Sequence, residues 1–309
     1  MGNAALSTAA RSAVALLAVA ASAAARPELP VAADPRLALL PAVIGQPANE
    51  LVVEDDTVLD VAYRHRLGFD RVARANAQVS VWIPEPGTVV RLPTEHVLPE
   101  PPWTGLVINI PEMQLYDFTV DGPPEVFAIA IGDEMDPSMI GAFRVGAKRA
   151  NPAWHVPKSI LAEKPELPAV VPPGPDNPLG PFWMTIGSST YGIHGTNNEW
   201  SIGREATHGC IRLYNDEIER LFARVKERTP LRLVYETVKL GQRGSTVYVE
   251  SHPDLYRREP AAVETALEKV RALGLGAEFD EQALRRAVTE ARGIPVPIAT
   301  LPPLPVSGP

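Results

Sequence analysis

Proline limits the folds open to this chain more than any other feature of its sequence. The 309 residues include 33 prolines, about twice the usual share of roughly 5%. Because proline interrupts helices and central strands, this composition favours short strands, turns and linkers over long helices. Between residues 103 and 237, short apolar segments recur with glycine and proline turns between them. This spacing predicts a mainly β fold, an antiparallel sandwich or barrel.

The charge balance argues against a nucleic-acid binder. The chain has 29 Lys and Arg residues against 37 Asp and Glu residues, for a formal net charge of −8. Binding to phosphates depends on clustered lysines and arginines, so we expect no nucleic-acid partner. The hydrophobic fraction of 45% is typical of a globular chain, and the length predicts roughly two domains.

Residues 1–25 have the composition of a secretory signal peptide. They carry a single charge, Arg11, ahead of an apolar run at residues 13–21, and small residues follow as far as Ala25. We predict export through this signal, with an uncleaved membrane anchor as the alternative. The apolar run is shorter than the 18 or so residues that span a bilayer, which favours the signal peptide.

Residues 49–95 predict a small βααβ domain. Thr57 ends a cluster of helix-capping residues that follows a short strand, and apolar residues then recur at helical spacing. A second helix from Phe69, a turn at residues 84–87 and a strand at residues 88–92 complete the unit. This order and spacing resemble a LysM module, a small glycan-binding domain of cell-wall proteins. A generic βααβ fold is the alternative.

The remaining segments differ in their periodicity. Residues 151–180 contain eight prolines and little periodicity, which is typical of a binding loop or a lid. Residues 238–293 predict a strand and two amphipathic helices, a C-terminal extension of the main domain. The tail at residues 294–309 contains six prolines and predicts an extended segment without regular structure.

The only cysteine of the chain, Cys210, lies in a segment whose residues 207–213 read THGCIRL. In strand geometry, His208, Cys210 and Arg212 share one face, and the apolar residues between them face the core. An unpaired thiol in an exported protein is either buried and inert or used in chemistry. The polar neighbours on its face favour a nucleophile.

We assign His194 as the base that activates Cys210. Free cysteine has a pKa of about 8.5, which a neighbouring imidazole lowers. Residues two apart on one strand are separated by roughly 6.5–7 Å, whereas directly opposed residues on adjacent strands lie about 4.5–5.5 Å apart. His194 lies in a β-prone segment 16 residues upstream of Cys210, and a hairpin with a broad loop can bring it across the sheet. His208 is predicted to position the site.

The neighbours of the nucleophile suggest how a substrate is held. Gly209 allows a tight turn, and the N–H groups of Gly209 and Cys210 are candidates for an oxyanion hole. Arg212 offers a planar guanidinium to a substrate carboxylate. The alternative for Arg212 is a surface salt bridge with Asp216.

A zinc site is the competing interpretation of the same side chains. The candidate ligands are His194, His208, Cys210 and His252. The sequence has a single cysteine and neither a C-x-x-C nor an H-E-x-x-H spacing, so we predict no metal.

Three stretches in order, residues 194–197 (HGTN), 201–203 (SIG) and 207–213 (THGCIRL), resemble the signature of L,D-transpeptidases with a YkuD-type catalytic domain. With the LysM-like unit in front, the chain is most similar to the ErfK/YbiS branch from Gram-negative envelopes. The resemblance covers about residues 50–255. It implies a β-sandwich catalytic domain at residues 103–237 and a location in the periplasm.

The resemblance implies acyl transfer on peptidoglycan without a cofactor. The Cys210 thiolate would attack the L-centre carbonyl of meso-diaminopimelate in a tetrapeptide stem and release the terminal D-Ala. The acyl group would then pass to an amine, either of another stem, giving a 3→3 cross-link, or of a lysine in an outer-membrane protein. Carbapenems would acylate the same cysteine. The residues leave open an L,D-carboxypeptidase, with water as acceptor, and a non-catalytic cell-wall-binding protein.

The resemblance assigns the nucleophile to Cys210 and the base to His194, in agreement with the strand argument. The full set of predicted catalytic residues is Cys210, His194, His208 and Gly209. The predicted substrate-binding residues are Arg212, Gly195, Thr196, Asn177 and Thr207. The sequence departs from the family at residues 136–141, which read DPSMIG where many relatives carry Thr-Pro-x-Gly, and at His155. We expect these departures to change the shape of the substrate groove more than the chemistry, and we treat His155 as a solvated loop residue.

Overall fold

The computed structural model describes residues 36–301. The predicted signal peptide at residues 1–25 and the end of the predicted tail, residues 302–309, lie outside the described residues. Within residues 36–301, no helix is long and apolar enough to cross a membrane.

The first part of the described chain contains four short strands and two helices, after a 3-10 turn at Leu37–Leu39. They are β1 (Val43–Ile44), β2 (Ala48–Leu51), α1 (Val58–Arg64), α2 (Phe69–Ala75), β3 (Val89–Leu92) and β4 (His96–Val97). Strands β2 and β3 pair antiparallel, and Thr57 caps α1 in a capping box with Asp60. The βααβ order predicted for residues 49–95, here called the N-terminal module, is therefore present.

Residues 103–237 build the largest sheet of the protein. The strands are β5 (Leu106–Asn109), β6 (Gln114–Asp117), β7 (Glu125–Ala128), β8 (Ile131–Gly132), β9 (Gly141–Ala150), β10 (Trp154–His155), β11 (Val170–Val171), β12 (Phe182–Ile186), β13 (Gly192–His194), β14 (Glu205–Thr207), β15 (Ile211–Arg212) and β16 (Pro230–Val234). The helices are α3 (Lys158–Glu163) and α4 (Asn215–Arg224), with a 3-10 turn at Glu199–Ser201. Eight strands form one sheet in the order β15-β13-β12-β9-β16-β5-β6-β7.

This sheet is mixed, so the prediction of an antiparallel arrangement is wrong in part. Strand β16 runs parallel to β5, and β13 runs parallel to β15. Each parallel pair is joined by a long connection rather than by a hairpin. The glycine and proline turns of the sequence reveal the hairpins but not these long-range pairings.

Helix α4 covers one face of the sheet next to the candidate site. Its residues Ile218 and Leu221 belong to the same buried cluster as Ile193 of β13 and Ile211 of β15. The apolar faces of these two strands are therefore turned to the core, which leaves their other faces for polar side chains.

Residues 151–180 are more regular than their proline content predicts. Strands β10 and β11 pair antiparallel on either side of α3. The side chain of Asn177 is buried, and its amide donates to the carbonyl of Pro152 at 2.9 Å. The segment is thus a folded excursion that Asn177 ties to its own beginning.

The C-terminal extension, residues 238–301, is a three-stranded sheet with two helices packed on it. Its elements are β17 (Val238–Arg243), β18 (Thr246–Ser251), α5 (Ala262–Ala272), α6 (Glu281–Glu290) and β19 (Val296–Thr300). Strand β19 pairs with β18, so the expectation that residues 294–309 lack regular structure is wrong over Val296–Thr300. Because β19 lies at the edge of its sheet, Pro297 can lack an N–H group without disrupting the pairing.

The three parts of the protein meet at six buried ionisable side chains, which we call the buried charge cluster. Its members are Arg71 of α2, His96 of β4, Glu112, Lys239 of β17, Glu250 of β18 and His252. Lys239 Nζ lies 2.7 Å from Glu112 and 3.4 Å from Glu250, and Arg71 lies 3.1 Å from Glu250. Because buried charges are costly without partners, this cluster requires the three parts to fold together.

The N-terminal module packs on residues 195–209, here called the connecting segment because they join β13 to the cysteine before β15. The Tyr63 ring stacks on Trp200 with centroids 4.4 Å apart, and its hydroxyl donates to Glu199 at 3.0 Å. The Phe69 N–H donates to a backbone carbonyl of the same segment. The module is therefore fixed against the candidate site rather than tethered beside it.

Candidate active site

The predicted base, His194, lies on β13, next to β15, the strand that begins directly after Cys210. The two strands pair in parallel, with Ile193 opposite Ile211 and His194 opposite Arg212. Ile193 and Ile211 are fully buried. Since opposed residues in a sheet share a face, His194 and Arg212 lie together on the other face of the pair.

Cys210 directly precedes β15, and its thiol receives a hydrogen bond from the Gly192 backbone. The hairpin that would have placed His194 directly opposite Cys210 is wrong. The connecting segment returns the chain in the same direction, so the parallel register makes the two residues diagonal neighbours instead.

The backbone leaves strand geometry immediately before the nucleophile. Gly209 has a φ of +93°, and a side-chain carbon at this position would lie 2.7 Å from the Tyr191 ring. Only glycine combines this backbone with this contact. The Thr207 hydroxyl donates to the Cys210 carbonyl at 2.6 Å and closes the turn. The predicted continuous strand is thus interrupted, although His208 remains exposed and its two neighbours buried, as alternation predicts.

The two central side chains are both neutral at rest. Burial raises the pKa of the Cys210 thiol, although the Gly192 hydrogen bond and the charge of Arg212 oppose this effect. Burial, followed by the charge of Arg212, lowers the pKa of His194 to about 3. The expectation that an imidazole lowers the thiol pKa is therefore wrong for this structure. The resting pair is a thiol and an uncharged imidazole.

The hydrogen bond of His194 defines which nitrogen is basic. His194 Nδ1 lies 2.6 Å from the carbonyl oxygen of Gly195. Because a carbonyl only accepts hydrogen bonds, Nδ1 carries the proton of the neutral ring. Nε2 then carries no proton and can accept one, as a general base must.

Two backbone donors next to the sulfur have no protein acceptor. Within residues 36–301, neither the N–H of Gly209 nor that of Cys210 donates to another backbone group or side chain. Backbone amides in folded proteins are nearly always paired. Two free donors beside a nucleophile are what an oxyanion hole requires.

Arg212 lies beside the nucleophile without a counter-ion. Within the described part of the chain its side chain forms no salt bridge, and its Nε is buried without a hydrogen bond. Asp216, its predicted surface partner, lies 3.3 Å from Arg66 instead. Burial lowers the pKa of the Arg212 guanidinium, but this group stays charged at neutral pH. The arrangement suits an anionic ligand.

His208 has a carboxylate partner that the sequence analysis did not assign. Its Nδ1 lies 2.7 Å from Asp136, and the two side chains are 45% and 53% exposed. Asp136 belongs to residues 136–141, where the sequence departs from the family. The positioning role of His208 stays a prediction, to which the structure adds this contact.

Four of the predicted substrate-binding residues are engaged in internal contacts. The Asn177 amide holds the 151–180 segment, and the Thr207 hydroxyl closes the turn at the nucleophile. The buried Thr196 N–H donates to Asn215 at 2.9 Å, and a side-chain carbon at Gly195 would collide with the same Asn215 oxygen. Their substrate-binding roles stay predictions, to which the structure adds these internal contacts.

The structure separates His252, a possible fourth ligand in the zinc interpretation, from Cys210. His252 belongs to the buried charge cluster, with Nε2 3.1 Å from Glu250. Among the described residues, the one group of side chains close enough to hold an ion lies in that cluster and excludes both active-site histidines. There the Lys239 ammonium lies 2.7 Å from Glu112 and already neutralises the carboxylates.

Three residues at the site were missed from the sequence. Trp183 of β12 lies opposite His194, and the two rings stack with centroids 5.5 Å apart. Tyr191 contacts Gly209, and Asn215 binds the connecting segment. Asn215 could have been suspected as a polar residue at the start of an amphipathic helix. Trp183 and Tyr191 could not, because their roles depend on strand register.

Comparisons with known proteins identify the family of this chain. The family model for the L,D-transpeptidase catalytic domain, YkuD, matches residues 104–239. With the relatives below, this match places the chain in the L,D-transpeptidase family, a family of acyltransferases.

The similarity to individual relatives extends over most of the chain. Probable L,D-transpeptidase YcfS of Escherichia coli K12 is 31% identical over 83% of this chain and 85% of its own length. Probable L,D-transpeptidase YbiS of the same organism is 32% identical over 76% of this chain and 81% of its own. Among solved structures, the Enterococcus faecium L,D-transpeptidase catalytic domain acylated by ertapenem is 19% identical, over 44% of this chain and 100% of that domain, with a TM-score of 0.34.

Proposed function

We propose that Cys210 is the nucleophile of an L,D-transpeptidase that acts on the tetrapeptide stems of peptidoglycan. The observation that carries the proposal is the surroundings of the sulfur. An uncharged histidine lies on the neighbouring strand, and among residues 36–301 two backbone donors have no acceptor and Arg212 has no counter-ion. Each of these groups has a use in acyl transfer.

Acylation begins with the loss of the thiol proton. Burial raises the thiol pKa, so the sulfur keeps its proton until the substrate is bound. The proton passes to His194 Nε2 as the sulfur attacks the L-centre carbonyl carbon of meso-diaminopimelate. The carbonyl oxygen becomes an anion, which the N–H groups of Gly209 and Cys210 stabilise by roughly 3–4 kcal/mol per well-placed donor. The C–N bond then breaks, and the D-Ala amine leaves with the proton from His194. The product is a thioester on Cys210.

Transfer reverses these roles. An acceptor amine attacks the thioester carbonyl and gives a proton to His194 Nε2. The C–S bond breaks, and the sulfur recovers the proton from His194. The acceptor is the amine of a second stem, which gives a 3→3 cross-link, or a lysine of an outer-membrane protein.

Arg212 supports the choice of substrate. Stem peptides are rich in carboxylates, and a guanidinium binds a carboxylate through two parallel hydrogen bonds. We infer that a carboxylate of the stem occupies the position beside Arg212. Replacing the fork by an ammonium in Arg212→Lys is expected to reduce turnover by about tenfold or more.

The N-terminal module supports a wall-bound location. Val53, Trp82 and Ile83 are exposed by 58%, 59% and 82%, and they belong to the loops that flank α1 and α2. Exposed apolar and aromatic surfaces of this kind mark binding sites. We propose that the module acts as a LysM domain that holds glycan strands, and that the signal peptide delivers the protein to the periplasm.

Mass spectrometry of the purified protein tests the proposal. In separate tubes, the protein is incubated with disaccharide-tetrapeptide and with a carbapenem. We expect a covalent carbapenem adduct on Cys210, a 3→3 dimer from the substrate, and loss of both in Cys210→Ala. His194→Gln should lose turnover, whereas His155→Gln, at an exposed histidine, should retain it.

The products separate the remaining outcomes. Tripeptide and free D-Ala without a dimer would indicate water or an absent protein as the acceptor. A folded protein that forms neither adduct nor product would contradict the role of Cys210.

A further inference from the structure

A residue outside the catalytic domain, Tyr256, packs against the strands and the loop that surround the active site. The family match ends at residue 239, yet Tyr256, in the C-terminal extension, is 8% exposed and packs in the same hydrophobic cluster as β13 and β15. Its ring stacks on Tyr235 with centroids 5.6 Å apart. Its backbone N–H donates to the Tyr235 hydroxyl at 2.6 Å. The Tyr256 ring is thus fixed on two sides.

The Tyr256 hydroxyl closes the base of the loop at residues 133–138. It donates to the Gly132 carbonyl at 2.6 Å and accepts from the Ser138 N–H at 3.1 Å. The Ser138 hydroxyl in turn accepts from the Gly132 N–H at 2.9 Å. These groups are buried, so removing the hydroxyl would leave a carbonyl and an N–H without partners.

This loop lies directly against the nucleophile turn. A side-chain carbon at Gly132 would lie 2.8 Å from both the Cα and the N of Gly209, which means that the two backbones are in contact. At the loop tip, Asp133 accepts the N–H groups of Met135 and Asp136 at 2.9 Å. This turn presents the Asp136 carboxylate to His208.

We propose that Tyr256 is a positioning residue of the active site, which holds the 133–138 loop so that Gly209 and His208 keep their places beside Cys210. The C-terminal extension is then a part of the catalytic centre rather than an appended domain. This inference rests on the proposed acyl transfer at Cys210.

The test compares two reactions of the same sulfur in Tyr256→Phe. Acylation by ertapenem develops an oxyanion and depends on the placement of the Gly209 N–H. Alkylation by iodoacetamide develops none. We expect acylation at saturating ertapenem to slow by about ten- to a hundredfold, the range of a small misplacement of reacting groups. Alkylation should change by less than about twofold, because the thiol itself is unaltered.

A matched control and a double variant define the mechanism. Tyr248→Phe makes the same change in the same extension, at a hydroxyl without a hydrogen bond in the described residues, and should acylate like the wild type. If Tyr256 acts through the loop, adding Asp136→Asn to Tyr256→Phe should slow acylation by less than the product of the two separate effects.

The outcomes distinguish this inference from the proposed function. No acylation of the wild-type protein would overturn the proposed function. Acylation of Tyr256→Phe at the rate of Tyr248→Phe, with the wild type active, would overturn the positioning role. Equal slowing of acylation and alkylation would also overturn it, since a general loss of structure acts on both. Should Tyr256→Phe not fold, Ser138→Ala decides by the same comparison of the two reactions.

Discussion

Lys239 of the buried charge cluster offers a quantitative test of how the three parts are held together. Its side chain is 1% exposed, and its ammonium lies 2.7 Å from Glu112, 3.4 Å from Glu250 and 2.6 Å from the Val97 carbonyl. The methionine in Lys239→Met keeps most of the apolar volume and removes the charge. Arg71 would then be left as the only full cation beside two buried carboxylates.

Removing one partner from a buried ion pair costs about 3–5 kcal/mol, because the other charge stays buried and uncompensated. For a chain of this size, each kcal/mol lowers the melting temperature by roughly 2–4 °C, so we expect a decrease of about 6–20 °C. Lys269→Met is the matched control. Its side chain is 31% exposed and its ammonium lies 3.4 Å from Glu100, which is 52% exposed, and the loss of such a pair near the surface costs at most about 1 kcal/mol.

The pH dependence of the stability lost in Lys239→Met, here called the deficit, identifies its cause. Burial by itself would raise the pKa values of Glu112 and Glu250, but the charge of Lys239 outweighs burial and both pKa values lie below the usual range. A carboxyl with a lowered folded-state pKa stabilises the fold above its unfolded pKa of about 4.3, and that stability is lost as the pH falls. Without Lys239, burial acts on both carboxyls with less opposition, so they take up protons as the pH falls toward 4. The deficit of Lys239→Met should therefore be largest at pH 7 and smaller at pH 4.

The assay is urea denaturation followed by tryptophan fluorescence at pH 7 and pH 4. Equal midpoints for Lys239→Met and Lys269→Met at pH 7 would refute the reasoning. A deficit that is the same at both pH values would show that lost packing, and not the uncompensated carboxylates, is responsible.

Three further predictions follow from the same contacts. Gly209→Ala places a methyl group 2.7 Å from the Tyr191 ring at a φ of +93°, and it should slow carbapenem acylation at least about tenfold. Gly87→Ala is the control: its φ is +83° with open space around it, and it should react with the carbapenem at the wild-type rate. Burial lowers the pKa of His96 to about 4, whereas a histidine in the unfolded chain has a pKa of about 6.5. Because the unfolded chain binds the proton first as the pH falls, the stability of the fold rises with pH between about 4 and 6.5. The urea midpoint of His96→Gln should rise less steeply over this pH range than that of the wild type. Tyr63→Phe loses the hydrogen bond to the connecting segment and should lower the free energy of unfolding by about 1 kcal/mol in the same assay, and an unchanged midpoint would mean that the bond contributes nothing.

The local features of the site could be predicted because they depend on neighbouring residues. Thr57 caps α1 as its position before an apolar repeat predicts, and His208 is exposed between buried neighbours as strand alternation predicts. The positive φ of Gly209 agrees with the prediction of a tight turn before the cysteine. Each of these follows from sterics and hydrogen bonding within a few residues.

The features that were wrong depend on contacts between distant residues. The hairpin predicted to place His194 opposite Cys210 is a parallel pair instead, because the connecting segment brings the chain back in the same direction. The thiol pKa was expected to fall because an imidazole is near in the sequence pattern. Burial determines its direction instead, and burial is a property of the whole packed domain.

The family, the βααβ order of the N-terminal module and the proposed roles of Cys210 and His194 were predictable from the sequence, because motifs and short-range periodicity record local chemistry. Three features followed only from the folded chain: the parallel register of His194 with the strand after the nucleophile, the lack of a counter-ion for Arg212 within the described residues, and the contact of Tyr256 with the 133–138 loop from outside the family match. Pairing partners and buried charges are set by which surfaces the whole chain brings together, and no spacing along the sequence encodes them individually.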